Sequence, residues 1–153
     1  MISLPKKSKA FTLIELLVVI GILAVLLTIV LIAINPARQF SQSNNTKRRS
    51  DVNAILNAVH QYAADNRGTL PSGIGTTAAT IGSGAGEVDI CSALVSQYLA
   101  ALPQEPLSNN GAAIDDCAVA HSTGYTIVRS ATNNRITVAA PTAELSEVIS
   151  VTR

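Results

Sequence analysis

The sequence predicts an α+β protein in which a long N-terminal helix packs on a small three-stranded antiparallel sheet. Three observations predict this arrangement: an uncharged apolar run near the N-terminus, an amphipathic stretch after it, and alternating apolar residues close to the C-terminus. With 153 residues, the chain has room for one ordinary domain, or for one small domain and a membrane segment. A large multidomain enzyme is therefore excluded.

The apolar run extends from Leu16 to Ile34, contains no charged residue and is interrupted only by Gly21 and Thr28. As a helix it would measure about 28 Å, which matches the roughly 30 Å thickness of a bilayer core. A secretory signal peptide that is removed whole would have a shorter apolar region, with small residues at a cleavage site just after it. The run instead ends in Ile34-Asn35-Pro36-Ala37-Arg38, so we predict a retained membrane span.

Basic residues flank the predicted span on both sides, so the count of positive charges alone does not set its orientation. Three lysines lie close to it on the N-terminal side, before Phe11, whereas Arg38 and the triad Lys47–Arg49 follow it. The proximity of the lysine cluster favours a cytoplasmic N-terminus. We therefore expect a single-pass protein of the cytoplasmic membrane with its C-terminal part outside.

The two cysteines, Cys91 and Cys117, lie in the polar C-terminal part and do not form a C-x-x-C motif. A single disulfide between them is the simplest interpretation, and two free buried thiols are the alternative. A disulfide would stabilise the fold by roughly 3 to 4 kcal/mol in the loop-entropy model, and it would require an oxidising compartment. It would thus agree with export of the C-terminal part.

Pro36 should disrupt the helix near the end of the span, because proline lacks the N–H group and its ring crowds the preceding turn. Helical spacing then resumes, and the second half of the helix is expected to end at Asn66-Arg67-Gly68, before Pro71. We interpret the triad Lys47–Arg49 as a solvated helix face, with binding to DNA or anionic headgroups as the alternative. The predicted buried stripe of this amphipathic half consists of Phe40, Val52, Ile55, Leu56, Val59, Tyr62 and Ala63.

Beyond the helix, the stretch from Ser72 to Glu87 is dense in small residues and is predicted to be a surface loop. Its glycines lack the spacing of a phosphate-binding loop. Asp89 can cap a short helix that ends before Pro103, with Leu94, Val95, Tyr98, Leu99 and Leu102 on its buried side. Three strands are predicted around Tyr125 to Arg129, Ile136 to Ala140 and Val148 to Val151, with Asn133-Asn134 in the turn between the first two.

The polar part of the chain offers little chemistry. The formal net charge is +1, tryptophan is absent and aromatic residues are few, so nucleic-acid binding is not expected, although it is not excluded. Neither His60 nor His121 has the spacing of a metal ligand or a catalytic base, and His60 is interpreted as a structural histidine. We favour surface solvation over calcium binding for Glu105, Asp115 and Asp116. The chain is therefore predicted to be non-enzymatic, with no cofactor and no metal.

Glu15 is the anomaly of the N-terminal segment, because an ionisable group at the edge of a span is costly and tends to mark function. A carboxylate that reaches the headgroup region from the helix end is the alternative. Glu15 stands in the stretch Lys9-Ala10-Phe11-Thr12-Leu13-Ile14-Glu15-Leu16-Leu17. This basic leader, followed by a small residue, Phe and an acid that enters an apolar helix, resembles the class III signal of type IV pilins and type II secretion pseudopilins. The resemblance covers the leader and the whole apolar helix.

The resemblance implies a processing site and an assembly contact. In that family a prepilin peptidase cuts immediately before the Phe and methylates the new amine, which here means the Ala10–Phe11 bond and the Phe11 amine. Ala10 stands where the family usually has Gly. The acidic residue at the fifth mature position, here Glu15, pairs with a neighbour's N-terminus during assembly. These features imply a leader at 1–10, a transmembrane assembly helix at 11–34, and a globular head with the ladle fold of pilins at 35–153.

The function implied is that of a structural subunit of a type IV pilus-like filament, which is a homopolymer. The subunit contacts membrane lipid before an assembly platform in the membrane adds it to the filament, and the filament then lies outside the cell or in its envelope. Within this class, the alternatives are a major pseudopilin of a type II secretion system and a competence or DNA-uptake pilin. The head resembles major pseudopilins at Asn66–Pro71, Leu102–Leu107 and Gly124-Tyr125, but Leu107 stands where many have Trp. The cysteine pair is also not typical of them. Outside the class, the alternative is a monomeric single-pass membrane-anchored binding protein.

Overall fold

The computed structural model describes residues 11–153. Helix α1 spans Leu13–Ile34 and helix α2 spans Pro36–Asp65. The chain divides into two compact units, one that ends at Gln39 and one that spans Phe40–Arg153. All the buried residues of the described chain belong to the second unit, which we call the head.

The interruption between the helices lies at Asn35, whose backbone is left-handed with φ of 48°. Asparagine tolerates this conformation better than most residues, and the Asn35 side chain accepts a hydrogen bond from the Arg38 N–H group at 3.3 Å. Pro36 occupies the first position of α2, where a missing N–H group costs nothing because that group would have no partner inside the helix. The sequence Asn35-Pro36 thus ends one helix and begins the next.

The sheet of the head has four antiparallel strands in the order β1-β2-β3-β4. They are β1 (Ala79–Gly82), β2 (Ser122–Arg129), β3 (Ile136–Ala140) and β4 (Ile149–Thr152). Pairing places Ile127 opposite Val138, and Val138 opposite Val151, so the alternating residues of three strands share one face. The α+β class is confirmed, but the predicted number of three strands is wrong.

Strand β1 lies inside the stretch that the sequence predicts to be a surface loop. Its register against β2 shifts between Thr80 and Gly82, and Ile81 is fully buried. Position 82 has room only for glycine. A Cβ atom there would lie 2.7 Å from the His121 carbonyl oxygen and even closer to the Glu87 carboxylate. Strand β1 has only four residues and one large apolar side chain, so its sequence shows no alternation by which a strand could be recognised.

The core of the head forms where one face of α2 packs on the sheet. The helix contributes Val52, Ile55, Leu56, Ala58 and Val59, and the sheet contributes Ile81, Tyr125, Ile127, Ile136, Val138, Ala140 and Ile149. The predicted stripe is wrong at its N-terminal end, because Phe40 is 71 % exposed. The buried face there continues instead through the polar residues Asn45, Arg48 and Asp51.

A short helix, α3 (Cys91–Leu94), follows β1, and its first N–H group is hydrogen bonded by the Asp89 carboxylate at 2.9 Å. The helix is shorter than predicted because the backbone is already extended at Val95, and Ser96 after it is left-handed, with φ of 73°. Cys91 and Cys117 form a disulfide with their Cα atoms 5.5 Å apart. It joins α3 to the segment before β2, so the intervening residues are anchored at both ends.

Candidate functional site

The surface of α1 distinguishes this helix from α2 and α3, both of which have buried residues. None of its 22 residues is buried, and by length and composition it could cross a membrane. At about 1.5 Å per residue it measures about 33 Å, close to the thickness of a bilayer core. An apolar helix with no buried face requires lipid or other helices around it, because water would otherwise contact the whole of its surface.

A capping box at the start of α1 holds the Glu15 side chain. The Thr12 hydroxyl accepts a hydrogen bond from the Glu15 N–H group at 3.3 Å, and the Glu15 carboxylate accepts one from the Thr12 N–H group at 2.8 Å. The Thr12 hydroxyl also donates to the carboxylate at 2.7 Å. These contacts satisfy two N–H groups that have no partner in the helix, and they place a negative charge at the positive end of the helix dipole.

The residues around this carboxylate are apolar and exposed. Phe11 precedes the cap and is 85 % exposed. Together with Ile14, Val18 and Val19 it borders a shallow apolar groove of about 370 Å³ in which Glu15 is the only residue able to carry charge. The Glu15 carboxylate can therefore accept a cation that approaches from outside the helix, and its position is fixed within the first helical turn. Ala10, the other half of the predicted cleavage bond, lies outside the described residues.

A second charged cluster lies within the head and joins α2 to two loops. Arg48 is fully buried, and its guanidinium group donates hydrogen bonds to Glu105 and to Asn45, the latter at 2.8 Å. It also donates to the Glu144 carboxylate at 2.8 Å. Buried charges are tolerated when they are paired and hydrogen bonded, as here. Burial alone would lower the pKa of Arg48, but the hydrogen bonds to Glu144 and Glu105 outweigh it and raise the pKa.

Asp51 extends this cluster by one helical turn. Its carboxylate accepts hydrogen bonds from Lys47 at 2.8 Å and from the hydroxyl of Tyr125 on strand β2 at 2.7 Å. Burial, and then the hydrogen bond to Asp51, raise the pKa of Tyr125 far above its usual range. These groups hold the helix against the sheet, and no reacting group is aimed into a cleft among them. The cluster is therefore structural.

The interpretation of the triad Lys47–Arg49 as a solvated helix face is wrong for Arg48, which is fully buried, whereas Arg49 is exposed. Each of its three side chains has a carboxylate partner: Lys47 pairs with Asp51, Arg48 with Glu105 and Glu144, and Arg49 with Glu147. Glu105 is likewise buried, at 3 % exposure, and not solvated as predicted. Sequence alone could not identify Glu144 as a partner, because it lies 96 residues from Arg48 along the chain.

We can predict how the free energy of unfolding of the head depends on pH from the Glu144 carboxylate. Hydrogen bonds from Arg48, then from Asn44 and Ser41, lower its pKa to about 2. The contribution of this group to the free energy of unfolding is therefore fully present above about pH 4.5, the pKa of Glu144 in the unfolded chain. It is lost as the pH falls through about 2. We expect the urea midpoint of the wild type to fall more steeply across this window than that of Glu144→Gln.

The matched control for this measurement is Glu147→Gln, which removes a carboxylate three residues away that pairs with the exposed Arg49. This variant should retain the steep fall of the wild type between pH 4.5 and pH 2. Parallel curves for the wild type and Glu144→Gln would contradict the assignment of this pH dependence to Glu144. Circular dichroism of the full chain in detergent micelles reports the midpoint at each pH.

The two histidines stand apart from both charged clusters. His60 lies on α2, and His121 precedes β2 with its Nε2 atom 3.7 Å from the Asp89 carboxylate. Within residues 11–153, no group of three histidine, cysteine or acidic side chains is placed to hold a metal ion.

Comparison with known families gives one result. Residues 5–31 match the family described as the prokaryotic N-terminal methylation motif, which is the class III signal peptide of type IV pilins and pseudopilins. The match includes the cap residue Thr12, Glu15 and most of α1. No curated protein and no solved structure matches the chain significantly.

Proposed function

We propose that this chain, which carries the N-terminal motif of type IV pilins and pseudopilins, is the precursor of a non-enzymatic structural subunit of a type IV pilus-like filament. The observation that supports this proposal most strongly is the motif at 5–31 on a helix that exposes its whole apolar surface. Such a surface is suited first to lipid and then to copies of the same helix, because both environments are apolar.

The proposal includes an order of events. The chain is inserted in the cytoplasmic membrane with its N-terminus inside and the head outside. A prepilin peptidase then removes residues 1–10 and methylates the Phe11 amine, and an assembly platform in the membrane adds the subunit to the filament. The disulfide Cys91–Cys117 supports an oxidising location for the head. The finished filament lies outside the cell or in its envelope.

Assembly is proposed to depend on a charge pair between subunits. Cleavage creates a cation at Phe11, four residues before the Glu15 carboxylate. In a bundle of apolar helices both charges would be costly if left unpaired, and pairing them between neighbours offsets this cost. The pair would define the relative height of two subunits more than it would add to stability. Thr12 keeps the carboxylate near the helix end until a neighbour's amine arrives.

Two alternatives within the pilin class can be distinguished by experiment. A major pseudopilin of a type II secretion system would be required for release of exported proteins, and a DNA-uptake pilin would bind DNA with an affinity that falls as salt rises. The internal pairing of Lys47, Arg48 and Arg49 favours a role without DNA. A monomeric membrane-anchored binding protein, the alternative outside the class, would keep residues 1–10.

Processing gives the direct test of the proposed function. Coexpression with a prepilin peptidase should yield a mature chain that starts at N-methylated Phe11, because Ala10 is small, like the Gly that usually precedes the cut in that family. Intact-mass measurement and N-terminal sequencing identify this start. Ala10→Gly should be cut at least as well as the wild type, whereas the bulky Ala10→Leu should accumulate as precursor.

The control for processing is Ile14→Leu, which alters the matched segment by one conservative change beyond the cleavage site. It should be cut like the wild type. A chain that retains its lysine-rich leader in the presence of active peptidase would overturn the proposal and would favour the anchored monomer.

A further inference from the structure

A cavity of about 590 Å³ opens in the head between the C-terminal end of α2, the loop after it and the turn that joins β2 to β3. Its volume lies within the range of pockets that bind small molecules. The helix provides His60 and Ala63, and the strands provide Arg129 and Ile136. The other lining residues are Gly68, Thr69, Leu70, Pro71, Ile74 and Asn134.

The two basic side chains of this cavity have polar atoms without partners. The Nε atom of Arg129 and the Nε2 atom of His60 are buried, and neither makes a hydrogen bond. Within residues 11–153, no carboxylate lies within 4.0 Å of the Arg129 guanidinium group, in contrast to Arg48 and Arg49. A buried donor without an acceptor is costly, so an acceptor that enters the cavity would be stabilised.

The backbone holds Arg129 in place at the end of β2. Its N–H group donates to the Gly75 carbonyl at 2.8 Å, and the residue pairs with Ile136 across the sheet. The guanidinium group is therefore presented from a rigid strand, and its planar set of donors matches the two oxygens of a carboxylate. His60 adds a donor from the facing helix when its proton is on Nε2.

The remaining walls determine what else the ligand must contain. Pro71 and Ile136 are buried, Ile74 is 8 % exposed, and Leu70 and Ala63 complete an apolar surface beside the two polar side chains. Such a surface favours a short hydrocarbon stem over a fully hydrated ion such as inorganic phosphate. We propose that this cavity is a binding site for a small carboxylate with an aliphatic stem, held by Arg129 and His60.

Two sources can supply this chemistry: a free small molecule, or an acidic side chain from a second copy of the chain. The proposal concerns the cavity itself and does not depend on filament formation. Its test uses the full chain, labelled with ¹⁵N, in zwitterionic detergent micelles, with sodium butyrate as the probe and sodium chloride at equal ionic strength as the comparison.

We expect saturable shifts of the Arg129 Nε–H and His60 ring resonances with butyrate and none with chloride. Arg129→Gln should weaken butyrate binding at least tenfold, and Arg129→Lys should weaken it less because it retains the charge. Arg135→Gln removes the same charge from an exposed residue outside the cavity, so it should bind like the wild type. The resonances of β3 and β4 report whether each variant is folded.

Self-association of the unliganded chain distinguishes the two sources. If Arg129→Gln also reduces self-association and butyrate competes with it, the carboxylate comes from a second copy. If self-association is unchanged, the ligand is a free molecule, and either outcome supports the site. Absence of saturable shifts up to about 50 mM butyrate, or equal binding by the wild type and folded Arg129→Gln, would overturn the proposal.

Discussion

Glu15→Leu is expected to leave the protein in the membrane and to reduce filament formation at least tenfold. Insertion depends on the apolar length of α1, which this change extends. Assembly depends on a partner for the cation that cleavage creates at Phe11, and leucine provides none. An unpaired cation among apolar helices costs several kcal/mol, enough to reduce the association of each subunit by more than tenfold.

Two measurements on one preparation test this expectation: alkaline extraction for membrane insertion, and electron microscopy of sheared material for filaments. The matched control is Val18→Leu, which makes a similar apolar change one turn further along the same groove. It should assemble normally. Normal filaments from Glu15→Leu would remove the charge pair from the proposal while leaving the processed membrane subunit in place.

Arg48→Met is expected to destabilise the head by about 3 to 5 kcal/mol, because removing one partner of a buried ion pair leaves the other unpaired. The Glu105 side chain is only 4 % exposed and would lose its cation. Methionine retains most of the volume of the arginine stem, so the loss reports the charge and hydrogen bonds more than a cavity. Urea unfolding of the full chain in micelles, followed by circular dichroism, measures the difference.

The neighbouring residue provides the control. Arg49→Met breaks an ion pair with Glu147 in which both side chains are substantially exposed, so it should cost less than about 1 kcal/mol. The combined variant Arg48→Met, Glu105→Gln, Glu144→Gln should recover part of the lost stability, since no charge is then left unpaired. Equal losses for Arg48→Met and Arg49→Met would contradict the assignment of Arg48 as a buried anchor.

Much of the fold could be predicted from local pattern. The apolar run of α1 is recognised by its length and its lack of charge. The core positions from Val52 to Val59 and the strands β2 and β3 carry a period that is visible within a few residues. Strand β1 could not be recognised, because its four residues become a strand only by pairing with β2, forty or more residues later. Its stability comes from that pairing and not from its own residues.

The charged groups of the head show where local pattern fails. Arg48 belongs to a basic triad that is typical of a solvated surface, yet it is fully buried because carboxylates from two distant loops surround it. At the N-terminus the opposite holds, since Thr12 and Glu15 interact within one turn and their spacing alone indicates the cap. Contacts within one turn can be inferred from sequence, and those between distant loops cannot.

The head contains every buried residue that the described chain has, while α1 contains none. Substitutions at the buried positions of the head must therefore suit the interior of the head itself. Substitutions in α1 must suit lipid and, in the proposed filament, identical neighbours on all sides at once. The division at Gln39 thus separates a segment whose residues must suit the surroundings of the protein from one whose buried residues must suit each other.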